Sequence, residues 1–207
     1  MISLFDLFKI GIGPSSSHTV GPMRAARRFI AHLNPTFPVA RLRVTLYGSL
    51  AWTASGHATD KAVILGLAGE APESVNPDAA DDIVHQIGID RRLFVHGHPV
   101  AFDPTCDIVL DRETIPPIHP NTLQFEALAS DGTVLDTARF CSVGGGFIVP
   151  EDATKQASYA QPDMPLDFTS GTELLDRTCQ SGLTVAGVVL ANESALRPQT
   201  EIAAYLD

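Results

Sequence analysis

Glycine and proline enclose a run of hydroxyl-bearing residues near the start of the chain, and this run constrains the local backbone strongly. The sequence GIGPSSSHTVGP spans residues 11–22 and is called the serine loop below. Glycine lets the backbone bend, whereas proline fixes φ. Ser and Thr are preferred where a helix begins, because their oxygens accept hydrogen bonds from the free N–H groups of the first turn. The run therefore predicts a loop that offers backbone donors, hydroxyls and one imidazole to an anion such as a carboxylate.

Two later segments combine glycine with polar residues in a similar way. Residues 47–50 read YGSL and are followed by GHATD at residues 56–60, which again places an imidazole and a hydroxyl ahead of an apolar helix. Residues 142–148 read SVGGGFI, a pattern that ends a strand in a glycine turn or bend. Each segment alone is also compatible with ordinary helix capping and loop structure.

In this order, the three segments closely resemble the N-terminal part of the iron–sulfur-dependent L-serine dehydratases of the bacterial single-chain type. The opening MISLFDLFK and the pair Asn192–Glu193 are similar to that family too, so the resemblance covers essentially the whole chain. The resemblance implies deamination of L-serine to pyruvate and ammonia with a [4Fe–4S] cluster and without pyridoxal phosphate (PLP). It also implies that the cysteine ligands of the cluster belong to a C-terminal catalytic part outside this sequence.

The cysteines show no pattern of a metal site or a disulfide framework. Cys106, Cys141 and Cys179 are odd in number and widely spaced, and no C-x-x-C occurs. We expect three reduced, partly buried cysteines and no metal or cluster held by this chain.

Composition and charge favour a globular cytoplasmic protein. The chain has 207 residues, of which 44% are hydrophobic and 18% charged, so it is not of the disordered class. The net charge of −10 argues against nucleic-acid and acidic-membrane partners. No run approaches the roughly 18 apolar residues that a membrane span needs. Asp6 and Lys9 interrupt the N-terminal apolar stretch, so a secretory signal is not expected.

The hydrophobic pattern predicts an α+β fold with an antiparallel or mixed sheet. Apolar residues recur at helical spacing over residues 23–33 and stop before Pro35. Leu42, Val44 and Leu46 alternate with polar residues, as in a strand with one solvated face. Further helices are expected at 4–8, 62–69, 77–88, 170–179, 185–196 and 200–206, and further strands at 93–95, 100–102, 106–110, 123–129 and 134–140, with a hairpin at Asp131–Gly132.

The organisation changes near residue 150. Residues 151–165 have no clear period and contain prolines, which predicts a linker. We expect residues 1–150 to form an N-terminal serine dehydratase beta domain and residues 166–207 to be the first helices of an all-α catalytic domain whose remainder is missing. The resemblance implies that the N-terminal domain is of the allosteric small-molecule-binding type.

The chemistry of dehydration points to particular residues. A base must remove the Cα proton, an acid must assist the hydroxyl, and other groups must hold the carboxylate and the ammonium. His57 and His18 are the candidate catalytic residues, because imidazole titrates near physiological pH. The resemblance implies that an open iron of the cluster acts as the Lewis acid. The candidate substrate-binding residues are Ser15, Ser16, Ser17, Thr19, Thr59, Asp60 and Asn192.

Each of these residues also has a structural alternative. Either histidine can order its loop through a hydrogen bond, and the hydroxyls can be caps. Asp60 can orient His57, bind the ammonium, or be a helix N-terminal acid favoured by the dipole. Asn192 can hold the substrate or lie at the surface. His96 and His98 are predicted to face one side of a strand, and a surface metal pair there is disfavoured because no third ligand is near in the sequence.

Other classes of function remain open from the sequence. The serine loop can bind serine or an anion as an effector in a regulatory domain, or the domain can serve dimerisation through its sheet. A serine hydrolase is disfavoured, because no G-x-S-x-G occurs. The expected partners are L-serine, the remainder of the catalytic domain and a second copy in a homodimer, and the isolated chain is expected to be inactive.

Overall fold

The computed structural model describes residues 3–7, 10–152 and 164–206, with the side chains of Asp6 and Leu7 left out. These residues fall into two compact units. A helical unit comprises Met1–Phe8 and Ser158–Asp207, and a sheet unit comprises Lys9–Ala157. Most of the predicted linker, residues 153–163, lies outside the described residues. The N-terminal segment thus groups with the C-terminal helices although the sheet unit separates them in sequence.

The sheet unit is built on one mixed, open sheet. Its strands are β1 (Arg41–Tyr47), β2 (Arg92–Val95), β3 (His98–Ala101), β4 (Ile108–Asp111), β5 (Thr122–Leu128), β6 (Val134–Gly144) and β7 (Phe147–Pro150). The order is β2-β3-β1-β5-β6-β7, and β4 also pairs with β1. Strand β1 runs parallel to β3 and β4 but antiparallel to β5, with Val44 opposite Phe125. The central position of β1 accounts for its buried Leu42, Val44 and Leu46.

The helices of the sheet unit are α2 (Gly21–His32), α3 (Gly48–Thr53), α4 (Thr59–Leu67), α5 (Pro77–Asp90) and α6 (Pro104–Asp107). Helix α2 packs against α4 and against β5, β6 and β7. Gly66 permits the close approach of α4 to α2, because a Cβ there would lie 2.3 Å from the Met23 carbonyl oxygen. Phe29 of α2 stacks on Phe125 of β5 with ring centroids 5.3 Å apart, so burial of aromatic surface holds the helix on the sheet.

The helical unit contains α1 (Leu4–Leu7), α7 (Gly171–Ser181), α8 (Val185–Ser194) and α9 (Gln199–Leu206). Thr184 caps α8 by accepting a hydrogen bond from the Gly187 N–H at 3.1 Å. Glu193 of α8 is fully buried, and its carboxylate accepts hydrogen bonds from Ser3 Oγ (2.6 Å) and from the Leu4 N–H (2.9 Å). This carboxylate therefore ties the N-terminal segment to α8.

The structure confirms a mixed α/β architecture and most of the predicted elements, and it corrects several predictions. The predicted strand 106–110 is wrong at its start, because Asp103 accepts a hydrogen bond from the Thr105 N–H (3.0 Å) and opens helix α6 before β4 begins. His96 and His98 do not share a strand face. His96 lies in the hairpin turn with φ 49° and its Nε2 contacts the Leu33 carbonyl at 3.0 Å. Helix α3 was not predicted.

Candidate active site

The serine loop forms a π-helical turn that leads into α2. Ser15 is the N-terminal cap, and its hydroxyl accepts a hydrogen bond from the His18 N–H at 3.3 Å. The turn covers Ser16–Val20. Thr19 is buried, and its hydroxyl donates to the Ser15 carbonyl, so this side chain stabilises the turn. Single π-helical turns are frequent at functional sites because they re-aim side chains.

The imidazole of His18 is held at both ring nitrogens. Its Nε2 lies 2.8 Å from Ser49 Oγ at the start of α3, and its Nδ1 lies 3.0 Å from Ser17 Oγ. Ser15 Oγ is 3.4 Å from the same Nδ1. The serine hydroxyls can rotate to donate or accept, so these contacts orient the ring for either neutral tautomer.

The environment of His18 favours its neutral form. Burial, and secondly the neighbouring imidazole of His57, lower the pKa of His18 below its ordinary 6.5. The two ring centroids are 5.0 Å apart. A neutral imidazole can accept a proton, which is the state that a general base requires.

The segment 56–60 places His57 beside His18. The His57 N–H donates to the Thr53 carbonyl at 3.0 Å, and Ala58 adopts a left-handed conformation with φ 53° before α4 begins. Within the described part of the chain, His57 Nδ1 and Thr59 Oγ1 are buried without a hydrogen-bond partner. Buried polar atoms nearly always have a partner, so these two atoms are suited to a ligand or a bound water.

The other predicted residues of the sheet unit have identifiable surroundings. Ser16 is exposed, and its carbonyl accepts a hydrogen bond from the Gly21 N–H. Asp60 Oδ1 accepts a hydrogen bond from the Lys61 N–H at 2.8 Å, as expected for an acid in the first turn of a helix. The geometry thus brings His18, His57 and the hydroxyls of Ser15 and Ser17 together, whereas the hydroxyl of Ser16 is not among them and the described contact of Asp60 is to its own helix.

Asn192 lies in the helical unit. It is fully buried, so the alternative of surface exposure is wrong. Its Nδ2 donates to the Leu166 carbonyl at 2.9 Å, and its Oδ1 accepts from the Leu166 N–H at 2.8 Å. These two hydrogen bonds join α8 to the chain that precedes α7. A role of Asn192 in substrate binding remains a prediction.

Sequence reasoning missed two side chains around His18. Ser49 contacts Nε2 of the ring, and Ser142 donates from its hydroxyl to the Ser17 carbonyl at 2.7 Å. Ser49 belongs to the glycine-containing segment YGSL, and Ser142 belongs to the glycine-containing segment SVGGGFI. The glycines were a usable signal, but the neighbouring serines carry the contacts.

The buried cysteine, Cys141, is poorly suited to ligate an iron–sulfur cluster. Cys141 is buried, and burial raises the pKa of its thiol, which disfavours the thiolate that iron needs. Cys106 and Cys179 are exposed, so the expected partial burial is wrong for them. Among the residues that the structure describes, no three His, Cys, Asp or Glu side chains form a metal-binding group. In the part of the chain that the structure describes, no helix has the length and the apolar character that a membrane span requires.

Comparison with known proteins identifies the relatives of this chain. The family described as "serine dehydratase beta chain" matches residues 3–153. L-serine dehydratase of Streptomyces coelicolor is 45% identical over 97% of this chain and 46% of its own length. L-serine dehydratase 1 of Escherichia coli is 40% identical over 99% of this chain and 46% of its own length. L-serine dehydratase of Mycobacterium tuberculosis is 39% identical over 99% of this chain and 45% of its own length. The chain thus spans about half the length of these relatives.

Proposed function

This chain belongs to the serine dehydratase beta chain family, and from that membership we propose that it supplies part of the active site that deaminates L-serine to pyruvate and ammonia. The single observation that carries the proposal is the pair of facing imidazoles, His18 of the serine loop and His57, with centroids 5.0 Å apart. The names of the relatives support the substrate, and the pair supports the chemistry.

His57 is the proposed base. Its Nδ1 is buried and without a partner among the described residues, so it is free to take the Cα proton of serine. His18 contacts Ser49 and Ser17 through its two ring nitrogens and is therefore suited to orient the substrate or relay a proton. Loss of the proton and of hydroxide gives 2-aminoacrylate and water, and hydrolysis of its imine tautomer gives pyruvate and ammonia.

The serine loop is the proposed carboxylate site. Its three consecutive serines follow a glycine–proline break and offer hydroxyls and backbone N–H groups within one turn. Thr59 Oγ1 is a second unpartnered polar atom next to His57 within the described residues and is suited to a polar group of the substrate. A [4Fe–4S] cluster is proposed to be bound by another part of the enzyme, because the three cysteines of this chain form no C-x-x-C pattern and burial of Cys141 disfavours its thiolate.

The regulatory alternative assigns the same loop to an effector. The mixed sheet with helices packed on it is compatible with an allosteric small-molecule-binding domain that also dimerises. In that case serine or another carboxylate binds at the loop, and neither histidine takes part in proton transfer. Substitution of the histidines separates the two functions.

The test is His57→Ala in the complete enzyme, with His32→Ala as a control on an exposed histidine of α2. We expect His57→Ala to abolish turnover while L-serine still binds, because the general base is lost. His32→Ala should leave kcat and KM unchanged. A near-normal kcat with altered cooperativity in His57→Ala would instead support the regulatory alternative.

A second test addresses the cluster. The 207-residue chain is incubated anaerobically with iron and sulfide, alone and with the catalytic part of the enzyme. We expect pyruvate formation from L-serine only in the mixture. Absorbance of a cluster bound to the isolated chain would contradict the proposal and would require a new assignment of Cys106, Cys141 and Cys179.

A further inference from the structure

We propose that Ser142 is a positioning residue of this site: its hydroxyl holds the serine loop through the Ser17 carbonyl and so keeps the His18 imidazole against Ser49. The inference rests on the proposed function for the meaning of the site. The hydrogen bonds that carry it can be tested without turnover.

Ser142 occupies a rigid place in the sheet. It lies in β6 and is fully buried. Its N–H donates to the Asn121 carbonyl at 2.8 Å, and its own carbonyl accepts from Asn121 Nδ2 at 3.3 Å. The hydroxyl, which points from the strand to the serine loop, donates to the Ser17 carbonyl at 2.7 Å. The backbone of Ser142 is therefore fixed by hydrogen bonds to Asn121, whereas its side chain contacts the serine loop.

The hydrogen bonds close a circuit around His18. Asn121 follows Pro120, whose carbonyl accepts the Ser49 N–H at 3.1 Å. Ser49 Oγ lies 2.8 Å from His18 Nε2 on one side of the ring. On the other side, Ser17 bonds to Nδ1 through its hydroxyl and to Ser142 through its carbonyl. The Nε2 atom of the imidazole is thus linked to Pro120 through Ser49. The Nδ1 atom is linked to Asn121 through Ser17 and Ser142.

The backbone at the start of α2 passes close to the Ser142 hydroxyl. A Cβ at Gly21 would lie 2.1 Å from Ser142 Oγ, so glycine at the start of α2 permits this hydrogen bond. Val20 packs close to the turn after β6, since a Cβ at Gly146 would lie 2.8 Å from Val20 Cγ1. Arg24 Nη1 donates to the Gly146 carbonyl at 3.0 Å. The serine loop and the start of α2 therefore contact the end of β6 at several points, and Ser142 is the one that bonds to Ser17, the residue next to His18.

Loss of the hydroxyl would act on His18 through the loop. The Ser17 carbonyl would lose its buried donor, which favours an opening of the turn toward water. The lowered pKa of His18 depends first on burial and second on the facing His57. An opened turn hydrates the ring, so the pKa of His18 should rise toward 6.5. The serine hydroxyls in contact with the ring do not titrate in this range.

The experiment is an NMR titration of the histidine rings in the 207-residue chain, comparing wild type with Ser142→Ala and Ser142→Cys. We expect Ser142→Ala to raise the His18 midpoint toward 6.5. Ser142→Cys is somewhat larger and keeps only a weaker donor, so it should give a smaller rise. Chemical-shift dispersion in the same spectra checks that each variant is folded. An unchanged His18 midpoint in both variants would overturn the proposal.

Val100→Ala is the control. Val100 is buried on β3, and none of the hydrogen bonds described around His18 involves it. This variant removes buried atoms from the same sheet but keeps the hydrogen bond from Ser142 to Ser17, so its His18 midpoint should stay at the wild-type value. Equal shifts in Val100→Ala and Ser142→Ala would show general loosening of the sheet and would overturn the positioning role.

A double-mutant cycle tests the close contact between Gly21 and the Ser142 hydroxyl. Gly21→Ala alone should displace the Ser142 hydroxyl and raise the His18 midpoint. In the Ser142→Ala background the same substitution should have a smaller effect, because the displaced oxygen is absent. Full additivity of the two shifts would contradict the link between Gly21, Ser142 and His18.

Kinetics of the complete enzyme separate this inference from the proposed function. Ser142→Ala should lower kcat about tenfold or more with little change in KM, because misplacement of a catalytic group costs rate. If His57→Ala leaves turnover intact while Ser142→Ala still shifts the His18 midpoint, the proposed function fails and the hydrogen-bond circuit stands. If the midpoint does not move, the circuit fails whatever the kinetics show.

Discussion

At the scale of single residues, the two histidines of the candidate site differ in the hydrogen-bond partners of their ring nitrogens. His18 and His57 occur in similar sequence surroundings, with glycine, an imidazole and hydroxyls close together. Their surroundings in the fold differ, because both ring nitrogens of His18 have serine partners while His57 Nδ1 is buried without one in the described part of the chain. This difference assigns them different proposed roles.

The first prediction concerns the pH dependence of His18. Its pKa is lowered in the folded chain, so the unfolded state binds the proton more readily. His18 therefore contributes stability that is fully present above pH 6.5, where both states are neutral. This contribution is lost as the pH falls from 6.5 through the pKa of His18 in the folded state. We expect His18→Gln to reduce the loss of stability between pH 7.5 and pH 5, as measured by urea unfolding at a series of pH values. An unchanged pH profile would contradict this prediction.

The second prediction concerns the coupling of the two imidazoles. His57→Ala removes the second cause of the lowered His18 pKa but leaves the first, which is burial. The NMR midpoint of His18 should therefore rise in His57→Ala without reaching 6.5. The exposed His85→Ala on α5 serves as the control and should leave the midpoint of His18 unchanged.

The third prediction uses two glycines with opposite surroundings. Gly48 has φ 51°, and a Cβ there would lie 2.4 Å from the Pro120 carbonyl oxygen. Gly48→Ala should destabilise the sheet unit by about 1–3 kcal/mol, because a strained backbone and a close contact add. Gly88 lies in α5 with no atom near the position of a Cβ, so Gly88→Ala should stabilise by about 0.5–1 kcal/mol. Urea unfolding measures both, and a neutral Gly48→Ala would contradict the close packing of α3.

At the scale of elements, caps and short-range bonds decide where helices begin. Asp103 opens α6 immediately before β4, and Thr184 opens α8. The residues that carry candidate chemistry lie at such starts. Ser15 precedes the π-helical turn, Ser49 lies in the first turn of α3, and Thr59 begins α4. Helix starts leave backbone N–H groups without partners, so polar ligands are readily bound there.

The fourth prediction tests the cap of α8. Thr184→Ala removes the acceptor for the Gly187 N–H and should destabilise α8 by about 1 kcal/mol. Amide hydrogen exchange in the first turn of α8 should become faster, whereas the exposed Thr200→Ala on α9 should leave it unchanged. Unchanged exchange in Thr184→Ala would show that packing alone holds the helix start.

At the scale of the whole molecule, the N-terminal segment packs with the C-terminal helices in one unit. The described N-terminal residues 3–7 group with the C-terminal helices, and Glu193 contacts Ser3 and Leu4 across about 190 positions of sequence. Arg197 donates to the same carboxylate at 3.1 Å and lies over the Phe5 ring, and Phe5 stacks on Tyr205 at 4.0 Å. The N-terminal segment is thus part of the helical unit.

The fifth prediction follows from this arrangement. Glu193→Gln weakens charge-assisted bonds to Ser3, Leu4 and Arg197 and should destabilise the helical unit by about 1–3 kcal/mol. The Leu4 and Phe5 amides should exchange faster with solvent. Glu173→Gln, a change of the same kind at an exposed cap of α7, should not alter their exchange. Equal effects of the two substitutions would contradict a specific role of Glu193.

Local patterns sufficed for much of the fold. The helices α2, α4 and α5 and the hairpin of β5 with β6 were predicted because periodicity, caps and turn residues act over a few positions. Helix α3 was missed because GSLAWT is short and is held by the Pro120 carbonyl, which is distant in sequence. The strand predicted at 106–110 begins only at Ile108, because the cap at Asp103 opens a short helix over Pro104–Asp107.

The sequence by itself determined most of the elements, the family resemblance and the group of residues from which a site can be built. Only the tertiary structure decided that His18 faces His57, that Ser49 and Ser142 hold the serine loop, and that Glu193 binds the N-terminal segment. The physical reason is that helix and turn preferences act over a few residues, whereas burial and side-chain hydrogen bonds join residues that only the folded chain brings together.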